Sequence, residues 1–346
     1  MIITRTPFRI SFFGGGTDYP GWYRDNGGAV LSTTIDKYCY ISSRFWPPFF
    51  GKNYRVGYSK IEVTDSIDEL QHPSVRACLQ YLCFNDGLEI THNADLPSRA
   101  GLGSSSSFTV GLLNSLYGLR GKLTSKARLA ELAIHVEQNV IQENVGSQDQ
   151  VAAAYGGVNV ITFGGAQDFA VQPVVVPNAR LDELNKHLML FFSGISRYAT
   201  EIAGEKIKNL GKRRSELTTM HRYVYEATDI LTSKGDIRDF GRLLHENWQL
   251  KRSLSSCVSN CEIDEIYKTA MDNGAIGGKV LGAGGGGFIL VFAEPEKQPA
   301  IRKALKKYLH VPFHFEFGGS QTIFYSPNDS YNNGNGNGNG NGSHAS

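Results

Sequence analysis

Along the first half of the chain, up to about Val176, the apolar positions switch between two periods. The segments AVLSTTIDKYCYISSRFW and YRVGYSKIEVTD carry β-branched and aromatic residues in partial alternation, and LEITHNADL has the same character, so strands are expected there. Beyond them FTVGLLNSLYGL takes helical spacing and stops near Gly121. In TSKARLAELAIHVEQNVI the residues Leu129, Leu132, Val136 and Val140 recur three or four apart, the apolar face of a second helix. A third, short helix is expected from SQDQVAAAYGG, and GVNVITFGG with FAVQPVVV read as strands that close the region.

From about Ser196 to Gly274 the pattern becomes largely helical and more charged, as in DIRDFGRLLHENWQLKRSL, which predicts a second domain entered through the strand HLMLFFSG. That domain is expected to finish β-α-β, with FILVFAE, KQPAIRKALKKYL and FHFEF as its three parts. The predicted boundaries are 1–180, 181–328 and a disordered Asn/Gly-rich tail at 329–346, whose composition offers nothing to bury.

A hydrophobic share of 41% over 346 residues suits two globular domains with their own cores. Lys and Arg number 35 against 33 Asp and Glu, a near balance that argues against nucleic acid or a membrane surface as partner and leaves room for a small anion bound locally. The five cysteines lack paired C-x-x-C spacing and read as reduced thiols. No segment reads as a signal peptide or a membrane helix, so a cytoplasmic protein is expected.

Three glycine-rich stretches carry the candidate chemistry. In LPSRAGLGSSSSF, Gly101 and Gly103 permit a tight backbone path, and Ser104 to Ser107 open a helix whose N–H groups and dipole suit a polyphosphate. A simple serine N-cap is the alternative. In GGKVLGAGGGGFILVF the glycines run into an apolar strand, which excludes a dinucleotide fingerprint, and Val280 after Lys279 excludes a Walker loop. What remains is a close backbone approach, with the first glycine loop as one partner, or a glycine-rich hairpin without a ligand. In TPFRISFFGGGTDYP an exposed carboxylate, Asp18, is expected on a flexible turn, either as a ligand group or as an ordinary turn residue.

Taken together and in order, PFRISFFGGGTD, LPSRAGLGSSSS and KVLGAGGGGF resemble the three signature motifs of the GHMP kinases. The likeness spans about Thr6 to Phe288, and RISFFGGGTDYP with HENWQLKRSLS is most similar to the bacterial D-glycero-D-manno-heptose 7-phosphate kinases, with fucokinase-like enzymes sharing a related opening.

The resemblance implies an α+β, two-domain fold, with an N-terminal domain like ribosomal protein S5 domain 2 and a C-terminal ferredoxin-like α/β sandwich. It implies ATP and Mg²⁺, with Gly101, Leu102, Gly103, Ser104, Ser105 and Ser106 around the triphosphate and Ser105 with Glu137 on the metal. Glu137 also stands out on its own: Ala133, Glu137 and Ile141 form an i, i+4, i+8 row on the predicted helix, which puts the carboxylate on an apolar stripe, bound to a partner or snorkelling at its edge. Asp149 corresponds to the catalytic aspartate and Arg9 to its basic neighbour. Locally, Ser147 to Gln150 match a capping box that sets Asp149 in a first helical turn. Gly15, Gly16, Thr17, Asp18, Gly284 and Gly285 would meet the acceptor. Arg197 and Lys251 are candidate cations for a substrate phosphate, with solvated helix charge as the alternative. The implied reaction phosphorylates the anomeric hydroxyl of heptose 7-phosphate, a small-molecule sugar phosphate, in the making of nucleotide-activated heptose for capsule or lipopolysaccharide. A kinase of an unphosphorylated sugar and a non-catalytic sensor are the alternatives, and a homodimer is one option for the assembly.

Overall fold

The computed structural model describes residues 1–98, 100–165, 168–194, 213–255 and 257–327. The first layer is a nine-stranded sheet. Its spine is an antiparallel pair, β1 (Ile2–Phe13) and the long β2 (Gly28–Phe45). Beyond β2 lie β5 (Leu88–Ala94) and the hairpin β3 (Tyr54–Gly57) and β4 (Ile61–Thr64), while β6 (Val158–Phe163) pairs the start of β2 and then β7 (Phe169–Pro173).

Helices α1 (Pro20–Asn26), α2 (Pro73–Tyr81), α3 (Ser104–Leu119), α4 (Lys126–His135) and α5 (Gln148–Tyr155) belong to this half of the chain. Of these, α3 is buried along nearly its whole length, because Phe108 to Leu116 are apolar or small on every face. Its glycines let it lie close against β1: a Cβ on Gly118 would stand 2.1 Å from Ile2 Cδ1. Its second partner is β2, reached through Ser115 Oγ, 2.9 Å from Ser43 Oγ. The α1 and α2 segments are too short to register a helical period, and the sequence pattern alone did not mark them.

A second sheet has the order β11-β8-β10-β9, all antiparallel, formed by β8 (Leu188–Phe192), β9 (Ala275–Val280), β10 (Phe288–Ala293) and β11 (Leu309–His310). With it go α6 (Asn178–His187), α7 (Arg214–Thr232), α8 (Arg238–Ser253), α9 (Cys261–Asp272) and α10 (Gln298–Ala304). The expected β-α-β ending needs one correction. The third strand of that unit is β11, whereas FHFEF forms β12 (Phe315–Glu316), which leaves the second sheet and pairs Ile35 and Thr34 of β2. The chain then adds β13 (Gln321–Tyr325) beside β1, so the last strands lie in the first sheet and not in the unit assigned to 181–328. A short alternating segment looks the same whichever sheet receives it.

The two layers meet across a continuous apolar contact. Phe240 on α8 stands edge-on to Phe12 and Phe13, with ring centroids 5.4 and 5.1 Å away. Beside them the buried Lys279 Nζ donates to the carbonyls of Ser11 and Phe12, each at 2.7 Å, binding β9 to β1.

Candidate active site

The glycine-serine stretch forms the entrance to α3. Gly103 is the N-cap, in the left-handed region at φ +72°, and among the described residues no side chain caps the helix, so the serine-cap alternative does not hold. Such an end directs backbone N–H groups and the positive dipole outward, as an anion requires. The serines divide by depth. Ser104 and Ser105 face outward, while Ser106 and Ser107 are buried. Ser107 Oγ donates to the Pro7 carbonyl at 2.9 Å and anchors the helix to β1. The preceding turn is held to Arg9, whose N donates to the Leu102 carbonyl at 3.1 Å and whose Nη1 donates to the Gly101 carbonyl at 2.7 Å.

The second glycine loop, between β9 and β10, packs against this turn, as a close backbone approach required. A Cβ on Gly101 would meet the Leu281 carbonyl oxygen at 2.5 Å, and one on Gly282 would meet Gly101 Cα at 2.5 Å. Phe288 N donates to the Ala100 carbonyl at 3.0 Å. Gly284 and Gly285 take positive φ, and Gly285 N donates to the Val258 carbonyl at 2.9 Å, so both serve the loop's own path. Lys251 is corrected here. It is 2% exposed, and its Nζ donates to the carbonyls of Val280 at 2.9 Å and Gly282 at 2.7 Å, so its charge braces the glycine loop instead of facing an open phosphate site. Arg197 lies outside the described residues.

Arg9 and Asp149, 140 residues apart in sequence, form a bidentate pair: Nε donates to Oδ1 at 2.7 Å and Nη2 to Oδ2 at 2.8 Å. The geometry fixes the carboxylate plane. Arg9 is buried, while the Asp149 side chain keeps 24% exposure, so the acid presents an open face beside the glycine turn. A Cβ on Gly103 would come within 3.3 Å of Asp149 Oδ2. Asp149 occupies the first turn of α5 as expected, but the capping box does not form. Ser147 Oγ instead accepts from Gln138 Nε2 at 3.0 Å and lies 3.3 Å from the Tyr23 hydroxyl.

Asp18 is not the exposed turn residue that the glycines suggested. It is 1% exposed, with Oδ1 accepting from Gly16 N at 2.8 Å and Oδ2 from Gln148 Nε2 at 2.9 Å. Thr17 is also buried, its hydroxyl donating to the carbonyls of Gly14 and Ala29, which makes it a brace of the turn and not an open ligand group. Burial, reinforced by the nearby charges of Asp18 and Asp149, holds the Tyr19 hydroxyl well above its usual range. Tyr19 therefore lies in the field of both carboxylates, a placement no motif announced.

Glu137 is fully buried, and the row through Ala133 and Ile141 is broken. After His135 the backbone widens into a π turn over Val136–Val140, with Ile141 N donating to the Val136 carbonyl at 2.9 Å. This carries Glu137 inward under α3 and α5. Its Oε2 accepts from Ser106 Oγ at 2.9 Å and from Gln150 Nε2, whereas among the described residues Oε1 has no hydrogen-bond partner. Burial pushes its carboxyl up to about 7, against the nearby polar groups of Thr109, Ser106 and Gln150, which favour the charged form. An orphaned buried carboxylate oxygen beneath a phosphate-type helix end fits a cation. Ser106 and Gln150 were the partners that spacing could not supply.

Residues 73–157 match the model for the N-terminal domain of GHMP kinases and residues 227–311 the model for their C-terminal domain. The chain is 31% identical to D-glycero-alpha-D-manno-heptose 7-phosphate kinase of Campylobacter jejuni over 88% of its own length and 93% of that protein's. It is 29% identical to a galactokinase of Pyrococcus furiosus, with 89% and 94% covered. A crystal structure of a D-glycero-D-manno-heptose 1-phosphate kinase from Bacteroides thetaiotaomicron superposes with a TM-score of 0.77 at 23% identity, covering 94% of this chain and all of the other, which speaks for the fold. With both domains matched in order and a relative aligned over nearly its whole length, the chain belongs to the GHMP kinases, enzymes that transfer phosphate from ATP to a hydroxyl.

Proposed function

We propose that the protein phosphorylates the anomeric hydroxyl of D-glycero-D-manno-heptose 7-phosphate to give the 1,7-bisphosphate, a step toward nucleotide-activated heptose for surface polysaccharide. The observation that carries the phosphotransferase reading is the bidentate Arg9–Asp149 pair beside the uncapped start of α3. The heptose reading is supported by the name of the Campylobacter relative.

Phosphoryl transfer asks the protein chiefly for positioning and charge stabilisation. The first-turn N–H groups of α3, with Gly101 to Ser106, hold the triphosphate. Asp149 accepts the proton of the attacking hydroxyl on the carboxylate face left open by Arg9, and the guanidinium keeps that carboxylate oriented. Glu137 and Ser105 would hold Mg²⁺, which when bound would neutralise charge on the phosphate oxygens. Gly15, which is partly open to solvent, faces the sugar, with Asp18 bracing the turn behind it.

A substrate phosphate needs a cation that Lys251 does not offer. Arg24 lines an open cavity of about 250 Å³ with Gln138, Asn144, the acidic Glu143 and Tyr19, which follows Asp18 in the chain, and is the better candidate. The engagement of Lys251 within the fold also favours a second reading, a fucokinase-like enzyme for an unphosphorylated sugar.

The deciding experiment compares heptose 7-phosphate with free heptose, fucose, mannose and mannose 6-phosphate, the phosphate position in the product being read by NMR. Equal kcat/KM for phosphorylated and free heptose would remove the heptose 7-phosphate assignment. Within the active pair, Asp149→Asn is expected to lower turnover by about two orders of magnitude while ATP affinity holds, the scale of losing a general base. Near-normal turnover in a folded variant would take Asp149 out of the mechanism.

A further inference from the structure

The loop 141–147 joins the π turn that carries Glu137 to the helix that carries Asp149, and it leaves the π turn by a constrained route. Gln142 stands in the left-handed region at φ +62°, a conformation that residues with a Cβ seldom adopt. Glu143 N then donates to the Glu137 carbonyl at 2.8 Å and Val145 N to the Glu143 carbonyl at 3.0 Å, which folds the chain back onto the π turn. Gly146 follows, the residue type with the widest choice of backbone angles, three residues before Asp149.

One side chain spans that glycine. Gln138, on the π turn beside Glu137, donates through Nε2 to the Val145 carbonyl at 3.1 Å and to Ser147 Oγ at 3.0 Å. A carbonyl can only accept, so the NH₂ end of the amide faces the loop, and both of its hydrogens are used. Packing does not account for this placement, because Gln138 is half-buried and lines both the cavity of about 250 Å³ and a second one of about 150 Å³. Ser147 is withdrawn from its local role to complete the arrangement. At the N-cap of α5 its hydroxyl would ordinarily accept from a first-turn N–H, yet among the described residues no side chain caps that helix. A residue that gives up its best local use marks a constraint imposed from elsewhere, and such constraints gather at functional sites. Gln150 also ties α5 to the π turn, but through the Glu137 carboxylate, the group that would hold a cation; Gln138 ties them without drawing on it.

We propose that Gln138 is a positioning residue for phosphoryl transfer: by clamping the loop on both sides of Gly146 it fixes the start of α5, and with it Asp149, relative to Glu137. The bidentate pair with Arg9 orients the Asp149 carboxylate against β1, whereas the clamp sets where the helix bearing it begins. Gln138 acts through Val145 and Ser147 and needs no contact with a reacting atom. The inference rests on the roles proposed above for Asp149 and Glu137.

Gln138→Met keeps the length of the side chain and removes both donors. At a temperature where every variant is folded, kcat is expected to fall about tenfold, with the KM values for ATP and for the sugar each changed by less than about twofold, because a misplaced group slows the chemical step without weakening binding. Ser147→Ala should cost about threefold to tenfold in kcat, and the double variant no more than Gln138→Met alone, since the two residues form one clamp. In an Asp149→Asn background, Gln138→Met should cost less than about twofold, the group that it places being gone. A rise in sugar KM at unchanged kcat would assign Gln138 to the cavity wall, and losses that add to those of Ser147→Ala would mean that the two residues act separately. Either result overturns the inference, as does a Gln138→Met kcat within about twofold of wild type. Should Asp149→Asn itself keep near-normal turnover, the mechanism proposed above falls, and this inference with it.

Discussion

Glu137 has two tasks that conflict at the level of a single carboxyl: it must be buried, and it must be charged to hold a cation. Burial raises its carboxyl to about 7, above the ordinary value near 4.5 that the unfolded chain has. Between those values the unfolded state has released a proton that the folded state retains, so stability falls as pH rises through that window. The loss is on the order of 3 kcal/mol by linkage. Glu137→Gln does not titrate. Its melting temperature is therefore expected to gain on wild type from pH 5 to pH 7.5, with Mg²⁺ raising the wild-type value at the upper end and leaving the variant's unchanged. Parallel pH profiles for the two proteins would show that Glu137 ionises freely in the folded state.

At the scale of elements, the site depends on two glycine turns that touch through backbone. Gly101 sits at φ +85° with the Leu281 carbonyl 2.5 Å from where a Cβ would be, and Gly282 mirrors it from the other side. Gly101→Ala is strained in its own backbone and displaces the opposing loop at once. Its expected cost is about 2 kcal/mol or more in stability, together with at least a tenfold rise in the KM for ATP, because the start of α3 moves with the turn. Gly121→Ala, also at positive φ but with open space around it, is the control, and it should lose stability without the ATP effect. An equal ATP KM in both variants would separate the loop contact from nucleotide binding.

Over the whole molecule, the layers are joined by packing and by a buried ammonium group whose bonds go to main-chain carbonyls. Lys279 reaches from β9 to Ser11 and Phe12, at the end of β1 where the Asp18 turn begins, while Lys251 on α8 holds the end of β9 and the glycine loop within the second layer. Lys279→Met keeps the apolar stem and leaves two buried carbonyls without that donor. A loss of about 2–6 kcal/mol is expected, from about one to three per unsatisfied group. Because β1 carries both Arg9 and the turn, sugar KM should rise along with the instability, and amide exchange should quicken in β1 and β9 together. Faster exchange confined to β9 would mean that the lysine does not couple the layers.

The three glycine motifs, the longer strands and helices and the first-turn position of Asp149 were legible in the sequence, because backbone permissiveness and local periodicity are properties of neighbouring residues. A close backbone approach at the second glycine loop was one of two readings open in the sequence, and the tertiary structure decided for it and made the first glycine loop the partner. Partners distant in the chain were not legible. Ser106 and Gln150 reach Glu137 only because a π turn rotates it off the predicted row, and that widening has no composition signal in VEQNV. The destination of FHFEF depended on which sheet edge was open, and the depth of Asp18 on Gly146 lacking a side chain more than a hundred residues away. Lys251 carries the same charge in a solvated helix face as in a buried brace, and only the packing of α8 against β9 assigns it to the second. The sequence by itself determined which chemistry could be assembled; the tertiary structure decided which groups remain open to a ligand, because burial and hydrogen-bond satisfaction are set by all the elements that pack around a side chain at once.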